Sequence, residues 1–174
     1  MKLPFQLLGF DHVGYTVGNA KQAAQYYQCR LGFDLVAYKG LETGERDSAS
    51  YAMRQNKVTF VLTSPLLPGS DLNEHLCLHG DGVRDIAFTV DDARAAWEHA
   101  TRRGAVCAAE PRVLSDNDGE VVTAAIRTYG DTIHTFVERT RYDGVFLPGF
   151  EKAEPLGPAE PAGLEIVDHI VGNQ

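Results

Sequence analysis

The chain repeats itself. Adding 73 to each number carries Phe10–Leu31 (FDHVGYTVGNAKQAAQYYQCRL) onto Val83–Gly104 (VRDIAFTVDDARAAWEHATRRG) with no gap over 22 positions. Tyr15 falls on Phe88, Thr16 on Thr89, Val17 on Val90, Ala20 on Ala93 and Ala23 on Ala96. The match keeps a strand-like run and a helix-like run in phase, so a fold for this chain must hold the same unit twice. The offset is too long for a solenoid, whose repeats span roughly 20–50 residues.

Each copy reads alike. His12–Val17 and Ile86–Val90 are rich in β-branched and aromatic residues and predict buried strands. Gly18-Asn19 and Asp91-Asp92 follow, and an Asn or Asp oxygen can accept the free N–H groups of a starting helix. Ala20, Ala23, Ala24 and Tyr27 then fall on one helical stripe, as do Ala93, Ala96, Trp97 and Ala100. The helices are expected over Ala20–Arg30 and Asp92–Arg103, stopped by Gly32 and Gly104, because glycine tolerates positive φ. Three strands follow each helix: Phe33–Tyr38, Ser48–Arg54 and Lys57–Thr63, then Val106–Leu114, Glu120–Tyr129 and Ile133–Arg139. Gln55-Asn56, Asp116–Gly119 and Gly130-Asp131 supply turns. The fold class is therefore α+β: two βαβββ modules, about 10–64 and 83–139, within a domain of residues 1–142 that forms a half-barrel.

Between the copies, Leu72–Leu78 predicts a short helix. Residues 143–162 carry Pro148, Pro155, Pro158 and Pro161 among glycines and read as an extended linker with no packed core of its own. Residues 163–174 begin again as a strand. Asp168-His169 repeats Asp11-His12, and Gly172-Asn173 resembles Gly18-Asn19, so this segment reads as the first strand of a further copy.

Charge narrows the partners. Sixteen Lys and Arg stand against 24 Asp and Glu, a net charge of −8, with no basic run. Nucleic acid and anionic membranes both need clustered positive charge, so neither is expected. Cys29, Cys77 and Cys107 are odd in number and lack a C-x-x-C pair, which argues against a disulfide framework and for a reduced, cytoplasmic setting with the thiols in buried packing. The first ten residues hold too short an apolar run for a signal peptide, and no stretch approaches about 18 apolar residues.

VGNAKQAAQYY (Val17–Tyr27), YKGLETGERD (Tyr38–Asp47), FVLTS (Phe60–Ser64), LHGDGVRDIAF (Leu78–Phe88), TYGDTIHTFVER (Thr128–Arg139), FLPGFE (Phe146–Glu151) and VDHIVGNQ (Val167–Gln174) cover nearly the whole chain. They resemble the N-terminal part of the 4-hydroxyphenylpyruvate dioxygenase family, within the vicinal-oxygen-chelate superfamily. Loops agree as well as strands, and packing alone does not dictate loop residues. The resemblance implies conversion of 4-hydroxyphenylpyruvate and O2 to homogentisate and CO2 in tyrosine breakdown, with Fe(II) as cofactor and a homo-oligomeric assembly. It places the metal on two histidines and one glutamate of a second domain. The first of these transfers to His169, and the other two are expected beyond Gln174, so a chain of residues 1–174 alone is expected to be inactive. The resemblance assigns no other catalytic or cofactor-binding residue here. 4-Hydroxymandelate synthase, or a non-catalytic binding module of the same fold, are the alternatives.

The residues themselves offer rival sites. His12 holds in copy one the slot of His169, and Asp85 holds it in copy two. A two-copy enzyme of this fold could use both with a group on the last strand. The register puts Thr135 there, with Glu138 on the opposite face, and a His-Asp-Thr set is a poor metal site. An ancestral site gone silent is the reading adopted. His75 and His79 share a helix face at i, i+4 but lack the glutamate of metalloprotease motifs, and read as a surface turn of helix. Asp116, Asp118 and Glu120 lack calcium-loop spacing and read as a hairpin turn.

Overall fold

The computed structural model describes residues 3–172. Among the described residues nine strands and three α-helices follow in order, with a 3-10 turn at Leu41–Thr43: β1 (Leu7–Thr16), α1 (Ala20–Leu31), β2 (Asp34–Lys39), β3 (Ser48–Gln55), β4 (Val58–Pro65), α2 (Asp71–His79), β5 (Gly82–Val90), α3 (Ala93–Thr101), β6 (Cys107–Asp116), β7 (Gly119–Arg127), β8 (Ile133–Tyr142) and β9 (Glu151–Lys152). Each copy is thus βαβββ, as the repeat requires. The chain divides into two compact units. One holds the residues up to Val13 with Arg84–Pro148; the other holds Gly14–Val83 with the chain from Gly149 onward.

In the second of these units the strands run β1-β4-β3-β2-β9. Asn19 caps α1 by accepting the Gln22 N–H at 3.0 Å, and Gly32 ends it in the left-handed region at φ 69°. The buried face of α1 is Ala20, Ala24 and Gln28, with Ala23, Tyr27 and Leu31 half-buried beside it. It packs on Tyr51, Met53 and Leu62 of the sheet face it covers and on Phe33, just before β2. Burying one such large side chain stabilises by about 1.5–3 kcal/mol, so this contact dominates the unit. The β3–β4 turn is Asn56-Lys57, one residue later than expected, because Asn56 accepts the positive φ of 51° that a tight hairpin needs.

The other unit orders its strands β6-β7-β8-β5-β1, with β5 and β8 parallel. Asp92 caps α3 by accepting the Ala95 N–H at 2.8 Å. Here α3 ends at Thr101 and Arg102 is the cap. Gly104, expected to stop the helix, follows a further turn in which its N–H reaches the Thr101 carbonyl. Ala93 and Ala96 pack with Val90, Val122 and Phe136 on one sheet face. Ala87, Val121, Val137 and Tyr142 form a separate cluster that Leu147 covers.

The tail departs from its composition. Phe146 is buried, β9 pairs antiparallel with β2, and Leu156 packs on the α1 core. The stretch 143–162, read as a linker without a core, docks on cores already built. Proline and glycine content reports that a segment cannot make its own core; it says nothing of its main chain binding elsewhere. Residues 163–172 form no strand, since they join no sheet ladder, and Asn173 and Gln174 of the proposed further copy lie outside the described residues.

Gly32 joins the two findings. A Cβ there would lie 2.1 Å from the Glu160 carbonyl oxygen, and Ala162 N–H donates to the Leu31 carbonyl. Gly32→Ala should cost about 1–2 kcal/mol from the left-handed backbone alone, read as a lowered urea midpoint. It should also speed protease cleavage near Glu160. An unchanged midpoint and cleavage pattern would contradict this account of the docked tail.

Candidate metal centre

The parallel pairing of β5 and β8 sets Asp85 opposite Ile133, two residues from Thr135. Thr135 donates from its N–H to Asp85 Oδ1 at 3.1 Å and from its hydroxyl to Oδ2 at 2.6 Å. Asp85 and Thr135 therefore meet as the register required. Burial pushes the Asp85 carboxyl above its usual range, against the pull of the charge of His12 and of the Thr135 bonds. Glu138 stands apart and accepts the Ala93 N–H at the start of α3.

His12, on β1 of the same unit, is 8 % exposed. Its Nδ1 lies 2.7 Å from Asp11 Oδ1. Asp11 also accepts Arg139 through Nε at 2.9 Å and Nη2 at 2.7 Å, and the Thr89 hydroxyl at 3.0 Å. Burial opposes charge on Asp11, yet the hydrogen bonds and charges of His12 and Arg139 win and hold it well below the usual carboxylate range. Arg139 further donates to the Phe146 carbonyl, and its guanidinium carbon lies 5.6 Å from the Phe146 ring. That ring meets His12 edge-on at 5.4 Å between centroids.

This slot does not fit Fe(II). Phe146 packs on the His12 imidazole, the third position is held by Thr135, which donates to Asp85, and a threonine hydroxyl is a weak ligand where a divalent ion wants three good ones. Among the described residues no group of three or more His, Cys, Asp or Glu could hold a metal ion.

His169 has the opposite surroundings. Its side chain is 75 % exposed, and Nδ1 lies 2.7 Å from Asp168 Oδ2. A carboxylate on Nδ1 orients an imidazole to offer Nε2 to a metal, so His169 fits as one donor. Among the described residues no group of three donors forms around it.

Other candidates take structural places. His75 and His79 share one face of α2 with ring centroids 4.5 Å apart, on a helix with no buried residue. Asp116 accepts the Asp118 N–H and the Tyr142 hydroxyl, which makes the acidic group a braced hairpin turn. The expectation of buried cysteines fails: Cys77 and Cys107 are exposed and Cys29 is half-buried. Cys77 lies on the outer face of α2 and Cys107 opens β6, an edge strand, so neither reaches a core. The sequence reading missed the Asp11–Arg139 pair, which meets across 128 residues, and the Phe146 ring on His12; neither leaves a local signal. It also missed Gln28, which did leave one: a glutamine four residues beyond Ala24 on the apolar stripe.

The chain belongs to the Glyoxalase/Bleomycin resistance protein/Dioxygenase superfamily, whose pattern matches residues 9–140. It is 48 % identical over 97 % of its length to a 4-hydroxyphenylpyruvate dioxygenase of Xenopus tropicalis and 49 % identical to one of Danio rerio. It spans 44 % of each, less than half the length of these curated relatives. A solved variant of 4-hydroxymandelate synthase from Streptomyces coelicolor superposes with a TM-score of 0.75 at 24 % identity, over 90 % of this chain and 45 % of that one. Methylmalonyl-CoA epimerase from Mycobacterium tuberculosis gives 0.62 at 21 % identity, over 79 % and 91 %. Both show a shared fold.

The two aspartates should respond to pH with opposite signs. The depressed carboxyl of Asp11 stabilises fully above the unfolded aspartate value of about 3.9 and loses this as pH falls. Asp11→Asn should therefore cost about 2–3 kcal/mol at pH 7, discounted for the partly exposed Arg139, with the gap closing below about pH 4. Asp85 is raised, so its burial weakens the fold as pH rises. Asp85→Asn keeps Oδ1 for the Thr135 N–H, the Thr135 hydroxyl then accepting from the new amide, and should gain on the parent protein as pH rises from acid to neutral. Melting curves across pH check both signs.

Proposed function

We propose that the chain is the N-terminal part of an Fe(II)-dependent 4-hydroxyphenylpyruvate dioxygenase of tyrosine breakdown, forming homogentisate and CO2 from 4-hydroxyphenylpyruvate and O2. The observation that carries this is 48–49 % identity to curated dioxygenases through 97 % of the chain, which takes in the docked tail beyond the superfamily match. His169 is read as the first Fe(II) ligand, with the remaining two on chain that follows Gln174. Bound iron would supply the open coordination positions that such oxygenases use.

The described residues up to Tyr142 then have a supporting role. The slot of His12 and Asp85 has no part in the reaction, because Thr135 stands where a third ligand is needed and Phe146 packs on the His12 ring. The protein is expected in the cytoplasm as a homo-oligomer. No helix among the described residues is long and apolar enough to cross a membrane.

The test is oxygen uptake with 4-hydroxyphenylpyruvate and Fe(II), using protein expressed through the reading frame beyond Gln174. Homogentisate and CO2 should form one for one with O2 consumed. His169→Ala should abolish turnover, while His12→Gln should leave kcat within about twofold, since it touches no reacting group. Hydroxymandelate as product, or loss of turnover in a folded His12→Gln alone, would refute the reading.

A further inference from the structure

Two glutamines are buried in the unit that contains α1: Gln28 at 2 % exposure and Gln55, the last residue of β3, at 4 %. A buried primary amide is costly unless its groups are paired. Both pair with the main chain of the docked tail. Gln28 donates to the Gly157 carbonyl at 2.7 Å and accepts the Leu156 N–H at 2.9 Å. Gln55 accepts the Leu164 N–H at 2.6 Å while its amide donates to the carbonyls of Leu31 and Gly32, where α1 ends. The neighbouring Asn56 donates to the Leu164 carbonyl at 2.8 Å, and Lys57 N–H to the Glu165 carbonyl at 3.0 Å.

These contacts read backbone, so they fix where the tail lies rather than what its side chains are. Leu164 has both of its peptide groups held. Val167 then packs against the α1 core. Two residues further on stands the exposed His169, within about 7 Å of its last anchor even at full extension. Were the tail undocked from Gly149, twenty residues of flexible chain would give a root-mean-square reach of about 25 Å. Docking therefore concentrates the imidazole in a far smaller volume, and effective concentration scales accordingly.

We infer that Gln55 and Asn56 are positioning residues for the metal ligand His169: by holding the main chain of Leu164 they set the point from which the Asp168-His169 pair leaves the domain. The inference rests on the reading of His169 as a ligand. Neither residue touches metal or substrate in this role.

Two variants separate positioning from folding. Asn56→Gly removes the bond to Leu164 and suits the positive φ at that turn, so the melting temperature should hold. Gln55→Met keeps volume but removes all three amide bonds. In the protein expressed past Gln174, amide exchange over residues 162–168 should rise several-fold in Asn56→Gly and more in Gln55→Met, read without metal. The dissociation constant for Fe(II), titrated without substrate, should rise about threefold and about tenfold, on the scale of lost ligand support. The KM for 4-hydroxyphenylpyruvate at saturating iron should not move. If Gln55→Met fails to fold, Asn56→Gly carries the test. Faster exchange with unchanged iron affinity would overturn the positioning role, as would unchanged exchange. His169→Ala serves as control: if it leaves iron binding intact, the ligand reading itself fails and takes this inference with it. If it abolishes binding while Asn56→Gly and Gln55→Met do not weaken it, only the positioning role fails.

Discussion

A sheet has two faces, and each βαβββ module owns one helix. That mismatch governs the rest of the structure. The face under the helix is filled locally: Ala20 and Ala24 bring α1 close to Phe33, Met53 and Leu62, and Ala93 and Ala96 do the same for α3 over Val122 and Phe136. The opposite face has no helix to cover it and must be closed by something else or left for a ligand. In the unit around β5 and β8, the face carrying Ala87, Val121 and Val137 is covered by residues just after β8, with Leu147 on the cluster and Phe146 on His12. A slot where the superfamily's architecture could hold a ligand is thereby filled from within the chain.

Filling the slot changes what its polar residues do. Asp11, buried, is hydrogen-bonded to His12 and to the partly exposed guanidinium of Arg139, so its carboxylate is met inside the protein. Breaking one partner of such a group leaves an uncompensated charge, so its value to the fold lies in being complete. Asp85 has taken Thr135 as its partner in place of a third metal donor. The slot thus has a threonine where a third carboxylate or imidazole would be needed, and an aromatic ring packed beside His12.

The repeat made the modules legible before any coordinates, because strand alternation, N-caps at Asn19 and Asp92 and the alanine stripes are local signals that recur. The pairing of Asp85 with Thr135 was legible too, since register follows once the strands are placed. What escaped was contact between distant segments. Phe146 and Arg139 lie far along the chain from His12 and Asp11, and nothing near either pair announces the other. The tail misled because its prolines forbid a core of its own, while its main chain is held by Gln28 and Gln55, residues that look like ordinary helix and turn positions. The cysteines misled for the same reason: apolar chemistry gives a preference for burial, and only the sheet edge and the outer face of α2 decide that Cys107 and Cys77 stay outside.

The proposed function stands on metal binding at His169 rather than at the slot of His12. A crystal of the protein expressed past Gln174, grown with Fe(II) and measured on both sides of the iron absorption edge, tests this most directly. The account predicts an anomalous peak within bonding distance of His169 Nε2 and none beside His12 and Asp85. A peak between His12 and Asp85, with Phe146 displaced to admit it, would contradict the account.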